Sequence, residues 1–344
     1  MFLRNHWYVA AWDHEVGRFL TTRTLLGENI VLFRREDGSA VALADACCHR
    51  KLPLSMGRLK GDHLECGYHG MTYDGSGRCV RVPGQERIPD KARVRSYPVH
   101  EQWGWVFVWM GEAEKADPAL LPVVPEYGAP GWTLNRGPMM RIESHQSWVI
   151  DNLLDPSHTT FVHPTTLGVP EGADIPSTVR EEDGRIAAVK WTMGLPPAGL
   201  FRKFGNFQGA VDRWQVYELH LPALVIVDLG SADAGSGARE GAGTNRVALR
   251  SFNFVTPETD DSCLYHWFQI RNFAEGDAKV SNGITATFIE AFEEDLVILK
   301  AIHAAQRATT TPNLDIASDA APMRARRMLK KRIDQEQAAA SSAT

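Results

Sequence analysis

The chain has 344 residues, of which 44% are hydrophobic and 23% are charged, and its formal net charge is −5 at pH 7. This length suits two domains of ordinary size, and the negative charge argues against nucleic-acid binding. No apolar run is long enough to span a bilayer and the N-terminus lacks the apolar core of a signal peptide, so we expect no membrane segment and no export signal. Five cysteines, an odd number, argue against a disulfide framework and favour a reducing compartment, the cytoplasm.

The first third of the chain predicts a β-rich domain. Short apolar or alternating runs, for example at 24–36 and 103–111, are separated by glycine and aspartate turns. A stretch rich in proline and alanine follows, and we place the domain boundary there, with one domain at 1–115 and the other at 116–344.

The second domain predicts a different organisation. A helix near 146–162 precedes several strands, and a long helix is expected at 284–305. This is the α+β class, in which helices are added to an antiparallel sheet. The C-terminal stretch AAASSAT predicts a disordered tail.

Soft metal ligands are concentrated in one short stretch of the first domain. Cys47-x-His49 is followed after sixteen residues by Cys66-x-x-His69. Thiolates and imidazoles bind zinc or iron–sulfur clusters. One sulfur and one nitrogen in each pair suit a Rieske [2Fe–2S] centre, in which two cysteines hold one iron and two histidines hold the other. A structural zinc site remains the alternative.

A Rieske cluster only carries electrons. If the chain is an oxygenase, it also needs a mononuclear iron held by two histidines and a carboxylate. The segment DNLLDPSHTTFVHP at 151–164 supplies the histidines. The Asp-Pro pair at 155–156 predicts a helix start that puts His158 in the first turn. Pro164 biases His163 away from the helical region, so that both imidazoles can face one ion. Two partly exposed helix histidines are the alternative.

The carboxylate is predicted from a helical stripe. Asp295 lies within an apolar series with spacings of 4, 3, 4 and 3 residues, while Glu293 and Glu294 are expected to point elsewhere. A carboxylate facing a core is costly unless it is paired or bound to metal. Iron would remove that cost, and a buried salt bridge to Arg271 is the alternative. The stripe comprises Phe288, Phe292, Asp295, Leu299 and Ile302.

These motifs resemble one known family. The two Cys/His pairs, ending in Gly70, resemble the Rieske domain of the Rieske non-haem iron oxygenases, although Met71 stands where many members carry tryptophan. The 151–163 segment and the aspartate after two glutamates resemble its catalytic domain. Within the family, the sequence is most similar to the oxygenase components of vanillate O-demethylase and toluenesulfonate methyl-monooxygenase.

The resemblance implies a fold and a set of residue roles. The second domain is expected to adopt a helix-grip fold of the START/Bet v1 type, with an antiparallel sheet and long helices. Asp155 is expected to bridge electron transfer by bonding His69 of a neighbouring subunit, and Asn152 to lie near the iron. The expected cluster ligands are Cys47, His49, Cys66 and His69, and the expected iron ligands are His158, His163 and Asp295.

The resemblance also implies an activity. The chain is expected to be the terminal oxygenase of a homotrimer that uses O2 and NADH-derived electrons from a separate ferredoxin-type reductase carrying FMN and [2Fe–2S]. Its expected reaction is O-demethylation or methyl hydroxylation of a substituted aromatic acid. The alternatives are an aromatic-ring hydroxylase and an electron-transfer Rieske protein without oxygenase chemistry.

Two further predictions concern surfaces. Residues 50–95 hold ten Lys and Arg against five acidic residues, which predicts a docking surface for an acidic ferredoxin domain, or else a solvated face. The candidate residues for a substrate pocket are Phe201, Phe207, Val227, Asn253, Trp267, Ala286 and Ile289.

Overall fold

The structure is a computed structural model that describes residues 1–342. The chain forms two compact units, one comprising Met1–Leu121 with Thr256–Asp260 and the other comprising Pro122–Val255 with the residues from Asp261 onwards. None of the helices in the described part of the chain combines the length and apolarity of a membrane span.

The first unit consists of short antiparallel strands, as its turn-rich sequence predicts. Their orders are β1-β11-β10, β2-β3-β4-β9 and β5-β6-β7-β8. Tight turns make this possible: Leu26 and Gly27, with φ of 52° and 78°, connect β2 to β3. The strands are β1 (Trp7–Trp12), β2 (Thr21–Leu25), β3 (Glu28–Arg34), β4 (Ala40–Ala44), β5 (Arg58–Lys60), β6 (His63–Glu65), β7 (Thr72–Tyr73), β8 (Cys79–Arg81), β9 (Ser96–Tyr97), β10 (Val99–Gln102) and β11 (Trp105–Trp109).

The second unit is built on a large antiparallel sheet with the order β12-β19-β18-β17-β16-β15-β14, and β13 also pairs with β19. Its strands are β12 (Thr133–Arg136), β13 (Met140–Ile142), β14 (Thr178–Glu182), β15 (Arg185–Leu195), β16 (Val211–His220), β17 (Leu224–Asp233), β18 (Val247–Thr259, whose last residues belong to the first unit) and β19 (Ser262–Arg271). Its helices are α1 (Gln146–Leu153), α2 (Thr159–Val162), α3 (Gly199–Phe204), α4 (Ala278–Ala308) and α5 (Ala320–Ser342).

The core of the second unit lies between this sheet and α4. The Trp267 ring on β19 packs edge-on against Phe292, with ring centroids 5.1 Å apart, and Phe288 packs beside Phe292 at 5.7 Å. Gly137 permits this packing, because a Cβ there would lie 1.8 Å from the Trp267 ring. A long helix packed on an antiparallel sheet confirms the predicted α+β class.

Two details differ from the sequence-based expectation. The helix predicted near 146–162 is interrupted between α1 and α2, where residues 154–158 form a turn around Pro156. The tail predicted to be disordered is helical through Ser342, whereas residues 343–344 lie outside the described part of the chain.

Candidate metal centres

Two loops of the first unit present the Cys/His pairs, and they are built alike. The backbone N–H of Lys51 donates to the Cys47 carbonyl at 2.9 Å, and the N–H of Gly70 donates to the Cys66 carbonyl at 3.1 Å. Lys51 and Gly70 are each four residues after the cysteine, and both have positive φ, at 61° and 68°. Equivalent turns therefore hold the two pairs in similar geometry.

The sulfur and nitrogen donors differ in exposure. Cys47 and Cys66 are 2% and 3% exposed, whereas His49 and His69 lie at the surface with ring centroids 4.7 Å apart. Burial raises the pKa of the Cys66 thiol, so a bound cation is needed to keep it as thiolate. Buried sulfurs and exposed imidazoles fit a cluster whose histidine-bound iron faces outward.

Tyr73 contacts the sulfur side of this site. Its hydroxyl lies 3.1 Å from Cys47 Sγ and 3.2 Å from Cys48 Sγ. The sulfurs of Cys47 and Cys48 therefore converge on one hydroxyl. Hydrogen bonds to the sulfurs help to set a cluster's reduction potential. Cys79 and Cys263 are buried free thiols.

The second unit brings together His158, His163 and Asp295, which each offer a donor atom within 4.8 Å of the others. His158 Nε2 lies 3.6 Å from Asp295 Oδ1, and His163 Nε2 lies 3.3 Å from Asp295 Oδ2. Two imidazoles and one carboxylate on one face of an ion leave other positions open, which is the donor set of non-haem iron oxygenases.

The turn before α2 determines where the histidines lie. Asp155 Oδ1 accepts hydrogen bonds from the N–H and hydroxyl of Ser157, so it caps a turn, and α2 itself begins only at Thr159 with His158 as its N-cap. His163 ends the helix with φ of −118° and ψ of 50°, outside the helical region, as the following proline predicts.

Both histidines are oriented through Nδ1. His158 Nδ1–H donates to the Asp155 carbonyl, and His163 Nδ1–H donates to Glu294 Oε2 at 2.7 Å. These bonds leave each Nε2 lone pair free to face Asp295. The prediction that Glu294 points elsewhere is wrong. Although burial lowers the pKa of His163, the neighbouring carboxylates of Asp295 and Glu294 outweigh that effect and raise it, so the site favours positive charge.

Asp295 has no salt bridge to Arg271, so that alternative is wrong. Its Oδ1 accepts from Asn152 Nδ2 at 2.9 Å, while Arg271 donates to the Asn135 side chain and the Ala274 carbonyl. Asn152 therefore lies beside the candidate iron site, as the resemblance implied. Asp295 is 7% exposed at the centre of α4.

A cavity of about 30 Å3 borders this donor set. Of the seven candidate pocket residues, Val227 and Asn253 line it; the other lining residues include Leu153, Leu167, Tyr217, Leu229, Ser251, Phe288 and Phe292. A larger cavity of about 400 Å3 is also lined by His158, together with Asp151, Asp155, Asp315 and Asp319 among others.

A Cys2His2 site with buried sulfurs, together with a two-histidine, one-carboxylate site beside a cavity, defines the class of Rieske non-haem iron oxygenases. The chain belongs to this family: residues 6–98 match the Rieske [2Fe-2S] domain, and residues 142–335 match the vanillate O-demethylase oxygenase C-terminal domain. The alternatives of a zinc module and of an electron carrier without oxygenase chemistry are therefore wrong.

Particular relatives cover nearly the whole chain. The iron–sulfur subunit of the toluene-4-sulfonate monooxygenase system of Comamonas testosteroni is 37% identical, with 98% of each chain covered. The vanillate O-demethylase oxygenase subunit of Pseudomonas sp. (strain HR199 / DSM 7063) is 31% identical, with 100% of this chain and 98% of the relative covered. A dicamba monooxygenase structure with non-haem iron and dicamba has a TM-score of 0.83 and 29% identity, with 98% and 99% of the chains covered.

The chain is thus the oxygenase component of a multicomponent system, and its cofactors are a Rieske [2Fe–2S] cluster and a mononuclear non-haem iron. Both donor sets suit these groups chemically, because thiolates and imidazoles hold the cluster and a facial imidazole–carboxylate set holds the iron.

Proposed function

We propose that the chain O-demethylates or hydroxylates a methyl group on a substituted aromatic acid. The observation that carries this proposal is the donor set of His158, His163 and Asp295 beside a largely apolar cavity. Relatives over the full chain are named for toluene-4-sulfonate and vanillate. Insertion of oxygen into a methoxy group yields a hemiacetal that releases formaldehyde, whereas insertion into a methyl group yields a benzylic alcohol.

The residue roles in this proposal follow the contacts. His158, His163 and Asp295 hold the iron, which supplies O2 activation with electrons received from the cluster. Asn152 holds one oxygen of Asp295 in place, and Glu294 orients His163. Phe288 and Phe292, from the wall of the cavity, exclude water and position the aromatic ring.

The cluster roles are proposed for the first unit. Cys47 and Cys66 would bind one iron and His49 and His69 the other, and the exposed imidazoles would be the side open to redox partners. We also propose that residues 1–115 form the domain that holds the cluster and that residues 116–344 form the catalytic domain. Because these thiols must stay reduced to bind iron, we place the protein in the cytoplasm.

Assembly as a homotrimer is proposed because the electron must reach a second centre. Asp155 is the proposed bridge to His69 of a neighbouring subunit. Charge supports this pairing: besides Asp155, the cavity is lined by Asp151, Asp315 and Asp319 against one cation, Arg326, which pairs with Asp151, whereas Arg50 beside the cluster site is exposed. Sedimentation of the holoprotein should give a mass three times that of the 38.2 kDa chain.

A separate reductase, carrying FMN and [2Fe–2S], is proposed to pass NADH electrons to the cluster through the basic surface of residues 50–95. Arg58, Lys60 and Arg81 all contact the carboxylate of Glu65, so one negative charge faces three positive charges there. Reductase-coupled reduction should slow steeply with salt while dithionite reduction changes little. A flat salt profile would show that docking is not electrostatic.

Product analysis tests the proposed reaction. The reconstituted system, holding about three iron atoms per chain, is supplied with vanillate or 4-toluenesulfonate under O2. Formaldehyde from the first or a benzylic alcohol from the second, in proportion to NADH consumed, is expected. Hydroxylation of the ring itself would overturn the proposal in favour of an aromatic-ring hydroxylase.

A further inference from the structure

The inner face of the large sheet is arranged in rows of directly paired residues. One row contains Tyr217, Val227 and Ser251, which line the cavity at the candidate iron site. The next row along the strands is Lys190–Gln215–Leu229–Leu249, and the one after it is Thr192–Arg213–Ser231–Val247. Directly paired residues share a face, and successive rows are about 6.6 Å apart.

Two cations on these rows are buried without a counter-ion in contact. Lys190 and Arg213 are each 3% exposed. Within residues 1–342, neither makes an ion pair, and Arg213 Nε and Nη2 have no hydrogen-bond partner. The hydroxyl of Ser231, opposite Arg213, is fully buried and also has no partner in the described structure.

Nearby carboxylates do not neutralise these two buried cations. Asp212 lies on the opposite face of β16, where its oxygens accept from the backbone N–H groups of Gly194 and Gly235. Asp155 attracts Lys190 electrostatically but forms no ion pair with it. Buried charges without partners are strongly destabilising, so such charges indicate a place where a bound ligand supplies the opposite charge.

The two cations lie on the rows that continue along the sheet from the cavity at the candidate iron site. Lys190 and Arg213 lie one row apart on neighbouring strands, and both burial and the charge of Arg213 lower the pKa of Lys190. Burial raises the pKa of Tyr217 to about 12, with Arg213 opposing and Asp295 reinforcing the change. In the strand register, the Tyr217 row borders the cavity at the iron site, with Lys190 one row and Arg213 two rows beyond it.

We propose that Lys190, Arg213 and Ser231 form the site that binds the anionic group of the substrate, the carboxylate or sulfonate of an aromatic acid. The ring then extends past Gln215 and Tyr217, and its methyl or methoxy group lies at the iron. This proposal rests on the proposed function, and it explains why two cations are kept in the interior.

Ligand binding tests the proposal without turnover. Thermal unfolding of the holoprotein is measured with 4-toluenesulfonate, with its neutral sulfonamide and with inorganic sulfate. We expect the aromatic anion alone to raise the unfolding temperature. Equal stabilisation by the sulfonamide would overturn the proposal that the site recognises an anion. Equal stabilisation by sulfate would show that the site binds any anion and is not specific to the substrate.

Substitutions then locate the site. Arg213→Met and Lys190→Met should unfold at higher temperature than wild type when no ligand is added, because each removes a buried charge. Each should bind 4-toluenesulfonate roughly 10- to 100-fold more weakly, the range for loss of a charge-assisted hydrogen bond. The exposed Arg239 offers the matched control, and Arg239→Met should resemble wild type.

The outcomes separate the two proposals. Unchanged anion affinity in both variants with intact cluster absorbance would overturn the anion site, even if the enzyme demethylates vanillate. If Arg213→Met does not fold, the wild-type comparison of sulfonate with sulfonamide decides alone. An anion that binds through these residues but is never oxygenated would refute the proposed reaction and leave the anion site standing.

Discussion

Replacement of Glu294 is expected to weaken metal binding without removing a ligand. Its Oε2 lies 2.7 Å from Nδ1 of His163, whose side chain is 1% exposed, while the Glu294 side chain is 32% exposed. A hydrogen bond to a charged group contributes about 1.5–3 kcal/mol. Because water can reach Glu294, we take the lower half of that range, ~1.5–2 kcal/mol, which corresponds to metal binding weakened roughly 10- to 30-fold.

The assay is titration of the iron-free protein with Co2+, followed by its visible absorption, while the Rieske absorbance reports that the first unit is intact. Glu294→Gln keeps an oxygen that can accept from His163 and should fall between wild type and Glu294→Ala. Glu293 is exposed on the same helix, and Glu293→Ala is the control with the same loss of charge. Identical Co2+ affinities for Glu293→Ala and Glu294→Ala would refute the reasoning.

Three further predictions concern the cluster and its electron path. Gly57→Ala should prevent cluster assembly, because the added Cβ would lie 2.1 Å from the carbonyl of Glu65, next to a cluster cysteine; Gly209→Ala, with no atom within 4 Å, should leave the absorbance unchanged. Cys66→Ala should abolish the Rieske absorbance and the EPR signal of the reduced cluster, and an unaltered spectrum would remove Cys66 from the ligand set. Asp155→Asn should retain both metals by iron analysis but lower reductase-coupled turnover by orders of magnitude; normal turnover would leave Asp155 only its capping role.

The metal-ligand motifs were predictable because their information is local in the sequence. The cluster donors lie within 23 residues of each other, at spacings that a tight turn preserves. The helix break at His163 was predictable from Pro164. The apolar stripe predicted that the Asp295 side chain faces the interior. The stripe ends earlier than predicted, because Ile302 is 37% exposed.

Contacts between distant elements were not predictable in the same way. Glu294 was expected to point away from the site because it lies one residue off the apolar stripe, but the end of α2 approaches that side of α4. Helical periodicity describes one helix and carries no information about which neighbour packs beside it.

The buried cations were missed for a related reason. Lysine and arginine are normally surface residues, and both faces of β15 carry apolar side chains, so alternation does not identify an inner face. One signal was present: Lys190 has the same strand phase as Ile186 and Ala188, which are 1% exposed. Only the pairing of β15 with β16 brings it beside Arg213.

The iron donors come from backbone of unequal rigidity. His158 and His163 flank α2, a helix of four residues between Pro156 and Pro164, whereas Asp295 lies in the middle of α4, a helix of 31 residues. Opening the short segment breaks few hydrogen bonds, while opening α4 at its centre breaks many. Iron binding should therefore order residues 155–163, and loss of iron should disorder them, while α4 keeps its structure in both states. Loss of the metal should increase amide hydrogen exchange in that short segment and leave the centre of α4 protected, so the protein can lose and regain iron without unfolding.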